Sequence, residues 1–363
     1  MAARPSITIV VDPRFRGGTS SAVATEIGVL ATRADLRVVA LSSRMFSGDE
    51  AHPAIQSICE HHGISIEWDP PIISNSVVVI HNPSFIKFDD HFPAKIIADQ
   101  IFVVCHENFL RPGGAEGFAV QHCLDQIRDA TLCRNRQLAP ISPWNRKTVT
   151  KWIENHGGFS GWTITELDWT NICAFDLVAP TSAPQDRRGR LSRPGPEKFP
   201  SMEILHLLYP RTCDAVRILG GDSLLAEKTP DAWDLIPFGG EDVDAFLATI
   251  DFFVYFTNPL WRESFGRVIG EAIAAGKLVV TDPETATIFG PGVIGTTPDQ
   301  VSAVIAEHID NPDLYVERVR TAQSDLARFA PEAFAERLAK MIGTPIPPLK
   351  RAPTKKEELD VFV

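Results

Sequence analysis

Short apolar runs alternate with longer amphipathic stretches along this chain, and the cycle occurs twice. Residues 7–11 are a β-branched run; Gly17 and Gly18 break it, and an amphipathic stretch over 19–32 predicts a helix. Residues 36–41 predict a second strand and 54–62 a second helix. The runs 77–80 and 101–105 are apolar without alternation, the pattern of strands buried on both faces of a parallel sheet. A helix over 116–130, a strand over 138–141 and a helix over 145–154 complete the first set.

From 179 to 200 the pattern dissolves into Pro, Ser, Arg and Gly, which predicts a linker. Alternation then resumes with a helix over 202–208, strands over 215–219 and 235–238, a helix over 242–249 and a very apolar strand over 252–256. A helix capped by Ser264, a strand over 278–281 and helices spread over 298–342 follow. From Pro345 onward the chain is rich in Pro and Lys, the composition of a disordered tail. The predicted fold is α/β, with two doubly wound, Rossmann-like domains: residues 1–178 and residues 179–344, the last helix able to pack back on the first domain, then the tail 345–363. Two such domains facing each other place their strand C-termini on the walls of a central cleft.

Composition narrows the class. A length of 363 residues exceeds what one growing core supports, in keeping with two domains. The 44% hydrophobic and 22% charged content is that of a globular protein, and the longest apolar runs are far too short to span a bilayer. Arg4 is followed by a strand-like run rather than the apolar core of a signal peptide, so a cytoplasmic location is expected. A net charge of -11 argues against a nucleic-acid partner, though not against a small anion held by a few basic side chains. Six cysteines lie scattered, without metal-ligand spacing, and are expected to be reduced thiols.

The candidate chemistry centres on Glu263 and Glu271. Phe265, Val268, Ile269, Ala272 and Ile273 form one buried stripe, so the segment predicts a helix, with Gly276 as its stop. On one helix the two acids would lie about 12 Å apart along the axis. That is too far for a shared proton or metal, and it matches a nucleoside diphosphate sugar lying across the helix start. The N–H groups of Phe265, Gly266 and Arg267 would then face its anionic middle. Glu-Ser-Phe-Gly, seven residues between the acids, and Glu-Ala-Ile-Ala-Ala-Gly after a buried strand closely resemble the signature of the family 4 retaining glycosyltransferases.

The resemblance implies the GT-B fold and a set of roles. Glu263 would touch donor-sugar hydroxyls and Glu271 the ribose, with Ser264, Phe265 and Gly266 lining the pocket. The segment 189–200 looks like the family's Gly-Arg loop, in which Arg190 and Lys198 would grip the diphosphate; Arg193 is the alternative for either. Gly17 and Gly18, in the loop Arg16 to Thr19, correspond to the family's glycine-rich loop. His106 stands where the family places a histidine that hydrogen-bonds the transferred sugar; His81 is the competing candidate. Fixed cations around the diphosphate imply that no metal or other cofactor is required, and the acids of Asp242-Val243-Asp244 are accounted for by a helix start.

The activity so implied is retaining transfer of a sugar from a nucleotide donor to a glycan, glycolipid or small-molecule acceptor, in polysaccharide or glycoconjugate synthesis and with a peripheral membrane contact. A nucleotide-sugar epimerase of the same fold and a non-catalytic sugar-nucleotide-binding subunit are the alternatives.

Overall fold

The computed structural model describes residues 4–15, 17–225, 227 and 229–348. Its first sheet contains β1 (Ser6–Val11), β2 (Asp35–Ala40), β3 (Ile66–Trp68), β4 (Ile72–His81), β5 (Lys95–Cys105), β6 (Thr131–Pro140) and β7 (Thr163–Ile164). All seven run parallel, in the order β3-β2-β1-β4-β5-β6-β7. The second sheet contains β8 (Arg187–Leu191), β9 (Ala215–Leu219), β10 (Trp233–Ile236), β11 (Phe252–Tyr255), β12 (Leu278–Thr281) and β13 (Ile294–Gly295). It is also parallel, in the order β10-β9-β8-β11-β12-β13. The strand order reverses between β1 and β4 and again between β8 and β11. Doubly wound sheets open a ligand crevice at such switch points.

The linker expected over 179–200 is corrected by β8, which lies inside the second sheet between β9 and β11. Its sequence, Arg-Arg-Gly-Arg-Leu, hides a buried strand because each arginine finds a partner elsewhere. Arg187 pairs with Asp251 at 2.8 Å, and Arg188 with Asp186 at 2.6 Å and the Leu208 carbonyl at 2.7 Å. The expected strands of the first sheet are longer than their apolar runs, because the N-terminal halves of β4, β5 and β6 keep one face in solvent. The helix expected from Glu116 starts later, at Val120–Ala130, since Glu116 forms a bridge with Leu110 and accepts from Trp152 Nε1. Of the tail expected from Pro345, residues 349–363 lie outside the described residues.

One apolar cluster runs through both domains, joining Ile9, Val79 and Phe102 to Phe253, Ile269, Phe289 and Phe334. The chain passes to the second domain near Ile172 and Cys173 and returns near Phe329, and the two passages are bonded: Cys173 N–H donates to the Phe329 carbonyl at 2.9 Å. The last helix, Pro331–Ile342, then packs on the first domain. Phe334 meets the edge of Trp169, Arg33 pairs with Glu332 at 3.1 Å, and Gln100 donates to the Ile342 carbonyl.

Candidate active site

A cavity of about 460 Å³ opens where the two switch points face each other, within the range of small-molecule sites. The end of β1 leads into its first wall, which includes Phe15, Gly18 and Thr19, and the end of β5 supplies His106. The opposite wall comes from the ends of β8 and β11: Arg193, Lys198 and the run from Trp261 to Val268, with Glu271 one turn further on. Among the described residues the walls are tied by two hydrogen bonds, Asn108 Nδ2 to the Arg262 carbonyl at 3.0 Å and Ser142 Oγ to the Ser264 carbonyl at 2.5 Å.

The core of the second wall is an ion pair. Lys198 Nζ lies 2.5 Å from Glu263 Oε1, and the Tyr255 hydroxyl donates to the same oxygen at 2.7 Å. Burial alone would push the Glu263 carboxyl up, but the Lys198 ammonium, both hydrogen bonds and Arg193 together hold it below the usual carboxylate range. Tyr255 is pushed well up by its burial and by the charge on Glu263. Arg193 pairs with Glu197 at 2.8 Å, and Glu271 with Arg267 at 2.9 Å, both at more open positions. Arg262 reaches Asp282 at 3.3 Å.

The first wall holds a different kind of network. The β4–β5 register sets His81 beside Val104, and this brings the two candidate histidines together: His81 Nδ1 is 3.0 Å from His106 Nε2. His81 Nε2 faces Glu26 Oε1 at 3.4 Å, and Trp169 Nε1 donates to Glu26 Oε2 at 2.8 Å. Burial, with His81 adding to it, pushes His106 well below the usual imidazole range. Since only His106 of the pair lines the cavity, the two are successive members of one chain rather than rivals.

Several expectations change. Arg190 is fully buried beneath the cavity: it donates to the Phe256 and Lys198 carbonyls and lies between the Phe199 and Tyr255 rings. It fixes the loop that carries Lys198 and does not itself face a ligand; Arg193 occupies the cavity wall in its place. Ser264 is not a helix cap. The helix is Arg267–Ala274, capped at Gly266 with φ +83, a left-handed turn that favours glycine. Glu263 and Phe265 therefore precede the helix, and Phe265 packs on Phe289 and Phe329 instead of on a helical stripe. Gly17 does not line the cavity, and a side chain there would collide with the Phe15 ring; Arg16 lies outside the described residues. Asp242 caps Val243–Ala248 by accepting from Asp244 and Ala245 N–H groups. Sequence reasoning missed Tyr255, Glu26, Trp169, Asn108 and also Arg111, which lines the cavity with its guanidinium over the Trp261 ring; none of them sits in a local motif.

No protein-family model matches the chain, and no curated protein sequence matches it. Solved structures do. The chain resembles HepE of Anabaena in complex with UDP and glucose, at 15% identity and a TM-score of 0.63, covering 94% of this chain and 100% of that one. An E. coli trehalose-6-phosphate protein bound with UDP-2-fluoro glucose matches at 10% identity and 0.58, covering 94% and 100%. A trehalose-6-phosphate synthase studied with bisubstrate glycomimetics matches at 9% and 0.54, covering 93% and 98%. At these identities the likeness is one of fold, and the chain has the GT-B fold.

Proposed function

We propose that this chain is a glycosyltransferase that moves a sugar from a nucleoside diphosphate donor to an acceptor hydroxyl, with retention of configuration. The observation that carries the reading is the single cavity in which Glu263 with Lys198, Glu271 and the start of Arg267–Ala274 converge from one wall and His106 from the other. The donor fits this arrangement in one direction. Glu271 takes the ribose hydroxyls. The first N–H groups of the helix, with Lys198 and Arg193, take the diphosphate. Glu263 and His106 then meet the sugar. Fold neighbours that hold UDP, glucose or UDP-2-fluoro glucose support a uridine donor carrying glucose or a close analogue.

Fixed cations beside the diphosphate stabilise the departing nucleotide, so the reaction needs no divalent metal. Positive charge develops at the anomeric carbon as the bond to phosphate lengthens. The acceptor hydroxyl approaches from the same face, and a donor phosphate oxygen takes its proton. A neighbour studied for glycosyl transfer with retention supports the stereochemistry. The acceptor is a glycan, glycolipid or small molecule, with polysaccharide or glycoconjugate assembly as the setting. A cytoplasmic protein touching the membrane surface fits that setting.

The test is nucleoside diphosphate release from a panel of nucleotide sugars, with and without candidate acceptors and with a chelator present. Acceptor-dependent release that survives chelation, giving a product of retained configuration by NMR, is the expected result. Interconversion of the donor sugar without an acceptor would make the chain an epimerase, and donor binding without turnover a sensor.

A further inference from the structure

The buried chain behind His106 has a direction. Trp169 N–H can only donate, and it donates to Glu26 Oε2 at 2.8 Å. The other carboxylate oxygen, Oε1, faces His81 Nε2 at 3.4 Å. That separation is long for a hydrogen bond. Neither atom makes a hydrogen bond among the described residues, and Glu26 and His81 are both buried, so closing this short gap is the means the fold offers each of being satisfied. A carboxylate offers acceptors alone, which puts the His81 proton on Nε2 and leaves its Nδ1 as an acceptor. His106 Nε2, 3.0 Å from that Nδ1, must then carry the hydrogen between them. The ring nitrogen left to His106 for a ligand is Nδ1, bare and accepting.

We propose that Glu26, His81 and Trp169 are positioning residues that lock His106 as its Nε2–H tautomer, so that His106 offers the cleft a lone pair and accepts a hydrogen bond from a hydroxyl instead of donating one. The consequence for the sugar rests on the glycosyltransferase reading. The tautomer does not. Through the lock, a ligand hydroxyl meets an acceptor whose direction is set about three side chains away from the cleft, on the inner face of helix Gly18–Ala31.

Glu26→Gln is the informative change because it supplies one acceptor where two donors need one each. The Trp169 contact is the shorter, so the amide oxygen stays with Trp169 and the amide NH₂ turns to His81. His81 must then accept at Nε2 and move its proton to Nδ1. His106 accepts at Nε2 and is protonated on Nδ1, and it becomes a donor into the cleft. Adding Trp169→Phe releases the amide oxygen to His81 and reverses the change.

The experiment is ¹⁵N-imidazole NMR of the free full-length protein, the His106 signals identified by their loss in His106→Gln. The expected result is Nε2–H in the wild type, Nδ1–H in Glu26→Gln and Nε2–H again in Glu26→Gln/Trp169→Phe. A wild-type His106 protonated on Nδ1, or a tautomer indifferent to Glu26→Gln, overturns the proposal; if that variant does not fold, the wild-type spectrum still decides. A glycosyl-transfer assay then separates the two levels. Once a donor is in hand, Glu26→Gln is expected to lower kcat about tenfold, the scale of one lost hydrogen bond, with KM for the donor little changed and the double variant partly restored. Tautomers as expected in a protein without transferase activity would sink the functional reading and leave the relay standing.

Discussion

Lys198→Met is the substitution whose outcome the geometry constrains most tightly. Methionine keeps the length and most of the volume of the lysine stem but removes the ammonium 2.5 Å from Glu263 Oε1. Glu263 is left in a site where both partners are only about a tenth exposed, with Tyr255 as its remaining close donor. Removing one member of a buried pair costs about 3–5 kcal/mol. The Tyr255 bond at 2.7 Å keeps the loss at the lower end, about 3 kcal/mol. In a domain of this size that corresponds to a fall in Tm of roughly 6–12 °C.

The pH dependence separates this account from simple loss of packing. In the wild type the folded Glu263 titrates below its unfolded value. Its contribution is therefore complete above about pH 4.5 and is lost as pH falls through the folded pKa. In the variant burial is no longer opposed by Lys198, so the folded pKa rises above the unfolded one, and the destabilisation grows as pH rises through it. The gap between wild type and variant should narrow by about 1.4 kcal/mol for each pH unit below the variant's Glu263 pKa. Urea unfolding of both proteins at pH 7, 6 and 5 measures it. A gap that is constant or widens toward acid would refute the reasoning, as would failure of Glu263→Gln to restore stability in the Lys198→Met background.

Three further outcomes are expected. Glu271→Ala should raise the Kd for a nucleoside diphosphate about tenfold, the loss of one charge-assisted hydrogen bond, while leaving Tm unchanged; calorimetric titration showing equal affinity would remove Glu271 from the ribose site. Arg190→Met should cost about 3 kcal/mol in urea unfolding, because two buried carbonyls lose their donors, and Arg190→Lys should not restore it, since a single ammonium lacks the guanidinium fork. Gly220→Ala should lose more than about 1 kcal/mol, since Gly220 has φ +80 and an added Cβ would run into the Ser192 carbonyl; weaker donor binding should accompany it through the neighbouring Arg193.

The parts of this fold that were legible in the sequence are those whose burial is apolar. β1, β11 and β12 are almost wholly buried and read directly as strands. β8 did not, because three of its five residues are arginines, and two of the groups that let them be buried, Asp251 and the Phe256 carbonyl, are more than sixty positions away. The acids of the cavity were visible because they stand in a compact motif, but the helix start was misplaced: Ser264 has the chemistry of a cap, whereas the turn is made by Gly266. His81 and His106 were each visible as a histidine at a strand end. That they touch depends on the parallel pairing of β4 with β5, and that Glu26 stands behind them depends on how helix Gly18–Ala31 lies on the sheet.

The hydrogen bond between Cys173 and Phe329 has a mechanical consequence. A chain that crossed between its halves once would let them swivel; one that crossed at two distant points would stiffen them against any motion. Here the two crossings run side by side, so the halves share one short spine and their relative freedom reduces to rotation about it. Parting the walls must break the Asn108–Arg262 and Ser142–Ser264 bonds, which act as clasps opposite that spine. Swinging apart must break these clasps, lift Arg111 from the Trp261 ring and open part of the apolar cluster the halves share, while sliding past one another strains the whole joint.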